Sequence, residues 1–230
     1  MGMTPMPSGK IYDRLLSLPL FQGLSYADLS AIVETTRFDF KSYGIGEFIT
    51  RADTSCTHLY LLMSGEAEVS TQSDDHSYRL SETISGPLLI EPERLFGLTP
   101  YYSRSFMARS ECRVLSIEKQ AVLRLCADHL IVRINLLNIM ATLSQRQQRQ
   151  PWRQAPKTLA ERIVRFVEQH ALRPAGHKVL HIKMERLAEE LNDSRLDISS
   201  ALHELDRRGL VILSRGVIDF PAFEDCLRNG

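Results

Sequence analysis

Residues 184–205, Met-Glu-Arg-Leu-Ala-Glu-Glu-Leu-Asn-Asp-Ser-Arg-Leu-Asp-Ile-Ser-Ser-Ala-Leu-His-Glu-Leu, constrain this chain more than any other stretch. Leu187, Leu191, Ile198, Leu202 and Leu205 recur at three- and four-residue spacings, which predicts two short amphipathic helices with inward leucine faces. Ala188 is small where two helices must approach closely. Asn192 tolerates a left-handed backbone and so supplies the turn, and Asp193 or Ser194 can cap the second helix. The pattern reads as a helix-turn-helix, although any helical hairpin carries leucines at this spacing.

The flanks narrow that reading. Val179 to Ile182 is a short β-like run before the motif, and Leu210 to Leu213 and Val217 to Phe220 follow it around the turn Ser214-Arg215-Gly216. Strand, two helices and hairpin in that order describe a winged helix. The second helix would carry Ser194, Arg195, Ser199 and Ser200 outward near its start, the end that enters the major groove in such motifs. Arg215 at the wing tip can meet a phosphate, and Lys183, Arg207 and Arg208 are further cations for the same face. Charge argues the other way. The chain has 28 basic and 28 acidic residues, whereas most nucleic-acid domains are more basic. A balanced sum can still hide a one-sided face, because only cations that touch phosphates release counterions. The competing reading is a solvated helix surface with i to i+4 pairs such as Glu204 with Arg208.

With 230 residues, 43% of them hydrophobic and 24% charged, the chain has room for one large domain or two small ones. No apolar run reaches membrane-spanning length, and residues 1–10 lack the hydrophobic stretch of a signal peptide, so no membrane partner and a cytoplasmic location are expected. Cys56, Cys112, Cys126 and Cys226 are scattered singly, which supports neither a zinc site nor an iron–sulfur motif; they read as buried or incidental thiols, and no metal or cofactor is expected.

Along the chain, residues 11–18 and the segment led by Ser25 and Asp28, a capping-box start, read as helical. From Arg37 to about Ile117 the texture becomes β-rich, with runs at 47–50, 58–63, 66–69, 78–80, 105–108 and 112–117 separated by turn residues; this predicts a sandwich or barrel. Residues 118–125 and a long stretch starting at Asp128, a plausible N-cap, are helical again. Leu130, Ile134, Leu137 and Ala141 step by four, three and four residues, a coiled-coil seam that predicts a homodimer; a helix packed on its own β-domain would show similar residues. The polar stretch 145–156, closed by Pro151 and Pro156, marks a linker, and Thr158 with Glu161 starts a helix over 159–170 with Ile163, Phe166 and Val167 inward. The expected domains are 1–125, 126–150 as a dimerisation helix, and 151–230.

This order of parts resembles the CRP/FNR family of bacterial transcription regulators over nearly the full length. Pro19-Leu-Phe-Gln-Gly-Leu-Ser25 with Asp28-Leu29, Gly46-Glu47, His58-Leu-Tyr-Leu-Leu-Met-Ser-Gly65 and the segment from Met184 to Phe220 carry the likeness. The resemblance implies an α+β chain: an N-terminal double-stranded β-helix or jelly-roll sensor of the cyclic-nucleotide-binding kind, a long dimerisation helix, and a C-terminal winged helix-turn-helix. It further implies a regulator in which a pocket effector biases how paired recognition helices fit a palindrome in double-stranded DNA, with RNA polymerase as a partner. Ser194 and Arg195 match positions that contact phosphate and base, and an arginine there can pair bidentately with guanine. Leu196 and Ser200 stand where the best-known member has glutamate and a second arginine, so a different DNA sequence should be read, with Leu196 available to a thymine methyl.

The pocket departs further. Nucleotide-binding members carry a Gly-Glu pair at the start of a short helix and an Arg-Ser clamp for the cyclic phosphate. Here residues 85–97 contain no Gly-Glu pair. Tyr102-Ser103 falls opposite the clamp in one register and Arg104-Ser105 in another, and both remain open; Glu91 and Glu93 complete the candidate pocket. Cyclic AMP is therefore not the expected effector, and none is identified. A cupin-like enzyme would need a His-x-His metal pair and a hydrolase a Gly-x-Ser-x-Gly turn, and the chain has neither, so it is not expected to be an enzyme. The alternative is a nucleotide-sensing regulatory subunit acting through a protein partner.

Overall fold

The computed structural model describes residues 8–149, 152 and 154–229; the expectations made for residues 1–7 and for Gln150, Pro151 and Arg153 of the linker lie outside them. The class is α+β. The chain falls into two compact units, one of Met1–Ala67, Ser85–Ser103 and Met107–Arg149, the other of Glu68–Ile84, Arg104–Phe106 and Gln150–Gly230. A piece of the β-rich half thus clusters with the C-terminal part.

The first unit opens with α1 (Ser8–Leu16) and α2 (Tyr26–Thr35), the latter started by the expected capping box of Ser25 and Asp28. It continues with β1 (Asp39–Tyr43), β2 (Phe48–Thr50) and β3 (His58–Ser64). After β4 (Glu66–Gln72) and β5 (Tyr78–Ser85) come β6 (Leu88–Ile90) and α3 (Pro92–Phe96), and after β7 (Ser105–Ala108) come β8 (Cys112–Glu118), α4 (Lys119–Asp128) and α5 (Leu130–Arg149). A four-stranded antiparallel sheet runs β1-β8-β3-β6, and Leu59, Leu61, Leu62, Val114, Leu115 and Ile117 bury one another across it. Gly65 joins β3 to β4 at φ +100, and a Cβ there would lie 2.5 Å from the Glu111 carbonyl oxygen, so no other residue fits this corner.

Asp128 ends α4 rather than capping α5. The break falls at His129, an extended residue whose amide still bonds to the Leu125 carbonyl. The one-residue interruption lets α5 turn Val132 and Leu136 into the core, where the Asn135 amide donates to the carbonyls of Leu20 (3.1 Å) and Gln22 (2.8 Å). The opposite face carries the seam: Leu130, Ile134, Leu137 and Ala141 are exposed.

The second unit contains α6 (Leu159–His170), β9 (Lys178–Ile182), α7 (Met184–Leu191), α8 (Arg195–Arg207), β10 (Ile212–Ser214), β11 (Val217–Phe220) and α9 (Phe223–Asn229). Thr158 caps α6 as expected, accepting the Glu161 amide at 3.1 Å. Ile163, Phe166 and Val167 join Leu187, Ile198, Leu202 and Leu205 in a single core. Within this unit the strands run in the order β10-β11-β9-β5-β4. The wing hairpin covers one edge of β9, and β5 covers the other, with Leu80 opposite Leu180 and Glu82 opposite Lys178. An edge strand leaves a row of unpaired backbone groups, and β5 satisfies them here.

The facing pair Glu82 and Lys178 is an ion pair of 2.7 Å with both side chains at most 2% exposed. Glu82 also accepts the amides of Leu172 (2.6 Å) and Arg173 (3.3 Å), while the Lys178 ammonium donates to the Ala175 carbonyl and lies over the Phe223 ring. Buried charges persist only when each remaining hydrogen-bonding position is filled in this way.

Candidate nucleic-acid interface and effector pocket

The helix-turn-helix forms as its sequence dictates. Asn192 closes α7 in the left-handed region (φ 49, ψ 56), and Ser194 caps α8 by accepting the Asp197 amide at 3.1 Å. Arg162 from α6 fixes the turn by pairing with Asp193 at 2.9 Å and donating to the Leu191 carbonyl. Since α6 and α7 both pack on α8, the exposed face of α8 has a set orientation within the unit.

That face carries Arg195, Leu196 and Ser200 exposed, with Ser199 half-buried beside them. Leu196 is 82% exposed, an unusual position for a large aliphatic side chain unless something is to cover it. The Arg195 guanidinium rests against Glu185 of α7 at 3.2 Å, both well exposed, so the pair costs little to exchange for another acceptor. Ser194 is committed to its cap, its hydroxyl donating to Asp197 at 2.6 Å. Lys183 holds the N-cap position of α7 and Arg215 the tip of the wing; both are exposed. One helical turn further along α8, His203 and Arg207 extend the same exposed face. The i, i+4 step from Ser199 and His203 marks them, and the sequence reading missed His203. Acidic Glu185 and Asp197 sit among these groups, so the face is mixed rather than uniformly basic.

In the first unit, three of the pocket candidates meet. Glu91, buried at 4% and in the left-handed region (φ 38), accepts the Ser103 amide at 3.1 Å and the Ser103 hydroxyl. Tyr102 is buried and donates its hydroxyl to the His58 carbonyl at 2.8 Å; burial pushes that hydroxyl well above the ordinary tyrosine range. The Cys56 thiol donates to the same carbonyl at 3.9 Å. Arg104 and Ser105 lie instead in the second unit, where Arg104 Nε donates to Thr71 at 3.1 Å. The amide and hydroxyl of Ser103 are therefore engaged by an internal carboxylate.

Among the described residues no group of three or more His, Cys, Asp or Glu side chains could hold a metal, and no helix is long and apolar enough to cross a membrane. All four cysteines are free thiols, with Cys56, Cys112 and Cys226 buried; burial raises every one, Cys226 to about 11.

Residues 40–129 match the cyclic nucleotide-binding domain family. Among solved structures, a protein assigned to the CRP/FNR transcriptional regulators from Eubacterium rectale aligns with 92% of this chain and 97% of its own at 20% identity and a TM-score of 0.52. The sensor domain of the transcriptional regulator DNR from Pseudomonas aeruginosa covers 66% of this chain and 97% of its own at 20% identity and a TM-score of 0.51. The catabolite activator protein of Thermus thermophilus aligns over 91% and 95% of the two chains at 22% identity and a TM-score of 0.47. No curated protein matches the sequence.

Proposed function

We propose, for a chain whose residues 40–129 are a cyclic nucleotide-binding domain and whose fold is that of the CRP/FNR transcription regulators, that it reads a palindromic operator in double-stranded DNA as a homodimer. The carrying observation is the exposed face of α8, on which Arg195, Leu196, Ser199 and Ser200 stand clear of the core beside Lys183 and the wing residue Arg215. Arg195 would exchange Glu185 for a guanine edge, worth about 1 to 3 kcal/mol of discrimination, while Lys183 and Arg215 take phosphates. The dimer reading is supported by the solvent exposure of Leu130, Ile134, Leu137 and Ala141, since α5 packs on its own unit through Val132 and Leu136 instead. RNA polymerase is the partner, and the cytoplasm the compartment, that follow from this reading.

The β-domain of residues 1–125 acts as the sensor, with an effector other than cyclic AMP held near Glu91, Glu93, Tyr102 and Ser103. The support is electrostatic. A cyclic phosphate would have to displace the Glu91 carboxylate from Ser103 and then sit beside it, and like charges in a buried site repel strongly. Cyclic AMP binding at micromolar affinity by calorimetry would overturn this.

The DNA reading is tested by selecting duplexes from a random-sequence pool and comparing variants on the result. Arg195→Ala should relax base preference at one position, whereas Arg215→Ala should weaken all sequences alike and lower the salt dependence. Equal effects from both would show α8 to be misplaced, and binding to a protein but never to duplex DNA would favour a regulatory subunit.

A further inference from the structure

Beside the wing, the second unit contains a concavity of about 300 Å³ whose rim brings together side chains from distant parts of the sequence: His76 and Arg79 at the β4–β5 hairpin, His181 at the end of β9, and Lys183 at the start of α7, with Gly216 of the wing closing one side. Arg79 and His181 face each other directly across the β5–β9 ladder. No carboxylate lines the space, and none of these four side chains has an ion-pair partner among the described residues. The nearby acid Asp75 is spoken for: it accepts from Ser73 and Ser77 and pairs with Arg186 at 3.3 Å. His76 stands at φ 57 at the hairpin tip, a conformation that few non-glycine residues adopt.

We propose that this concavity is a phosphate seat, and that its occupant is a DNA backbone phosphate lying outward of the one met by the wing. The proposal rests on the DNA-binding reading and extends it to residues of the β-rich half, His76 and Arg79, which no winged helix supplies by itself. Lys183 links the seat to the recognition surface, being two residues from Glu185, the present partner of Arg195. The four groups present two fixed positive charges and two imidazoles, a chemistry that suits a phosphate diester and repels cations. Burial, and after it the Arg79 charge, hold the His181 imidazole below its ordinary value, with Glu68 acting in the opposite direction. An anion in the seat would reverse that, so His181 reports occupancy.

The test uses the full chain. Its histidine resonances are followed by NMR while inorganic phosphate replaces chloride at constant ionic strength. A saturable change at His181 and His76 that is lost in Arg79→Ala is the expected result, and no saturation beyond the chloride control overturns the seat. Lys183→Gln provides a second variant at an exposed position, guarding against a local change at Arg79. The occupant is decided on the duplex that the parent protein selects. Arg79→Ala should weaken binding about tenfold, reduce the salt slope by about one, and leave the order of preferred sequences unchanged. Unchanged affinity and slope with the phosphate response intact would assign the seat to a free phosphate ester and overturn the DNA assignment. A parent that binds no duplex would overturn the occupant together with the DNA reading, and the phosphate titration would still judge the seat.

Discussion

Replacing Glu82 by glutamine should destabilise the second unit far more than its single atom of difference suggests. The substitution keeps a side-chain oxygen for the Leu172 amide but removes the charge that faces the Lys178 ammonium at 2.7 Å, where both side chains are essentially excluded from water. Stranding one member of a buried pair costs about 3 to 5 kcal/mol. Lys178→Met strands the carboxylate instead and should cost a similar amount, although the amides of Leu172 and Arg173 partly solvate it. The combined Glu82→Leu and Lys178→Met chain strands neither charge. It loses the acceptor for two backbone amides, about 1 to 3 kcal/mol each when buried, and gains apolar packing beside Phe223. Measured against the Glu82→Leu and Lys178→Met singles, its total loss should therefore be smaller than their sum by about 3 kcal/mol or more, a coupling energy readable from a double-mutant cycle. Urea unfolding followed by circular dichroism gives the stabilities, and amide exchange over residues 78–82 and 178–182 localises the effect to the β5–β9 ladder. Additive losses under about 1 kcal/mol would refute the reasoning, because they would mean that water reaches the pair.

Gly65→Ala should lower stability by about 1 to 3 kcal/mol for the left-handed backbone alone, and more for the 2.5 Å approach to the Glu111 carbonyl, read as a fall in melting temperature. Ile134→Glu with Leu137→Glu should yield a monomer by sedimentation with the fold intact by circular dichroism, since both side chains already face solvent. The depressed His181 value sets a pH trend. Between its folded value and the ordinary value of 6.5 the unfolded chain binds more protons than the folded one, so stability must fall as pH drops through that window. His181→Gln should flatten this slope in urea titrations between about pH 5 and 7.

The helix-turn-helix was legible because its signals are local. Leucine spacing, a left-handed Asn192 and a capping Ser194 each act within one or two turns, and the chain obeys all three. The same holds for most strands of the β-domain, found within a few residues of the expected runs. Weaker local signals failed. β1, β6, α3 and α9 are short and were not anticipated, and Asp128 resembled a cap although the break falls at His129. Of the pocket candidates, Glu91, Tyr102 and Ser103 converge, whereas Arg104 and Ser105 belong to the other unit; spacing gives no information on which register places a side chain inward.

One signal was present but could not be interpreted without a partner. In β5, Tyr78, Leu80, Glu82 and Ile84 alternate onto one face, and in β9 Lys178, Leu180 and Ile182 do the same, so each strand carries a charge on an otherwise apolar face. Either charge alone looks like an edge position turned to water. The sequence by itself determined the longer elements, the turn and cap of the recognition motif, and the exposed side chains of α8, because these follow from backbone preference and periodicity over a few residues. Only the tertiary structure decided that β5 pairs with β9, that Glu82 meets Lys178, that Glu91 occupies the donors of Ser103, and that His76 and Arg79 share a concavity with His181 and Lys183. Those outcomes depend on which distant strand fills an open edge and which opposite charge relieves a buried one, and neither is encoded within a single segment of chain.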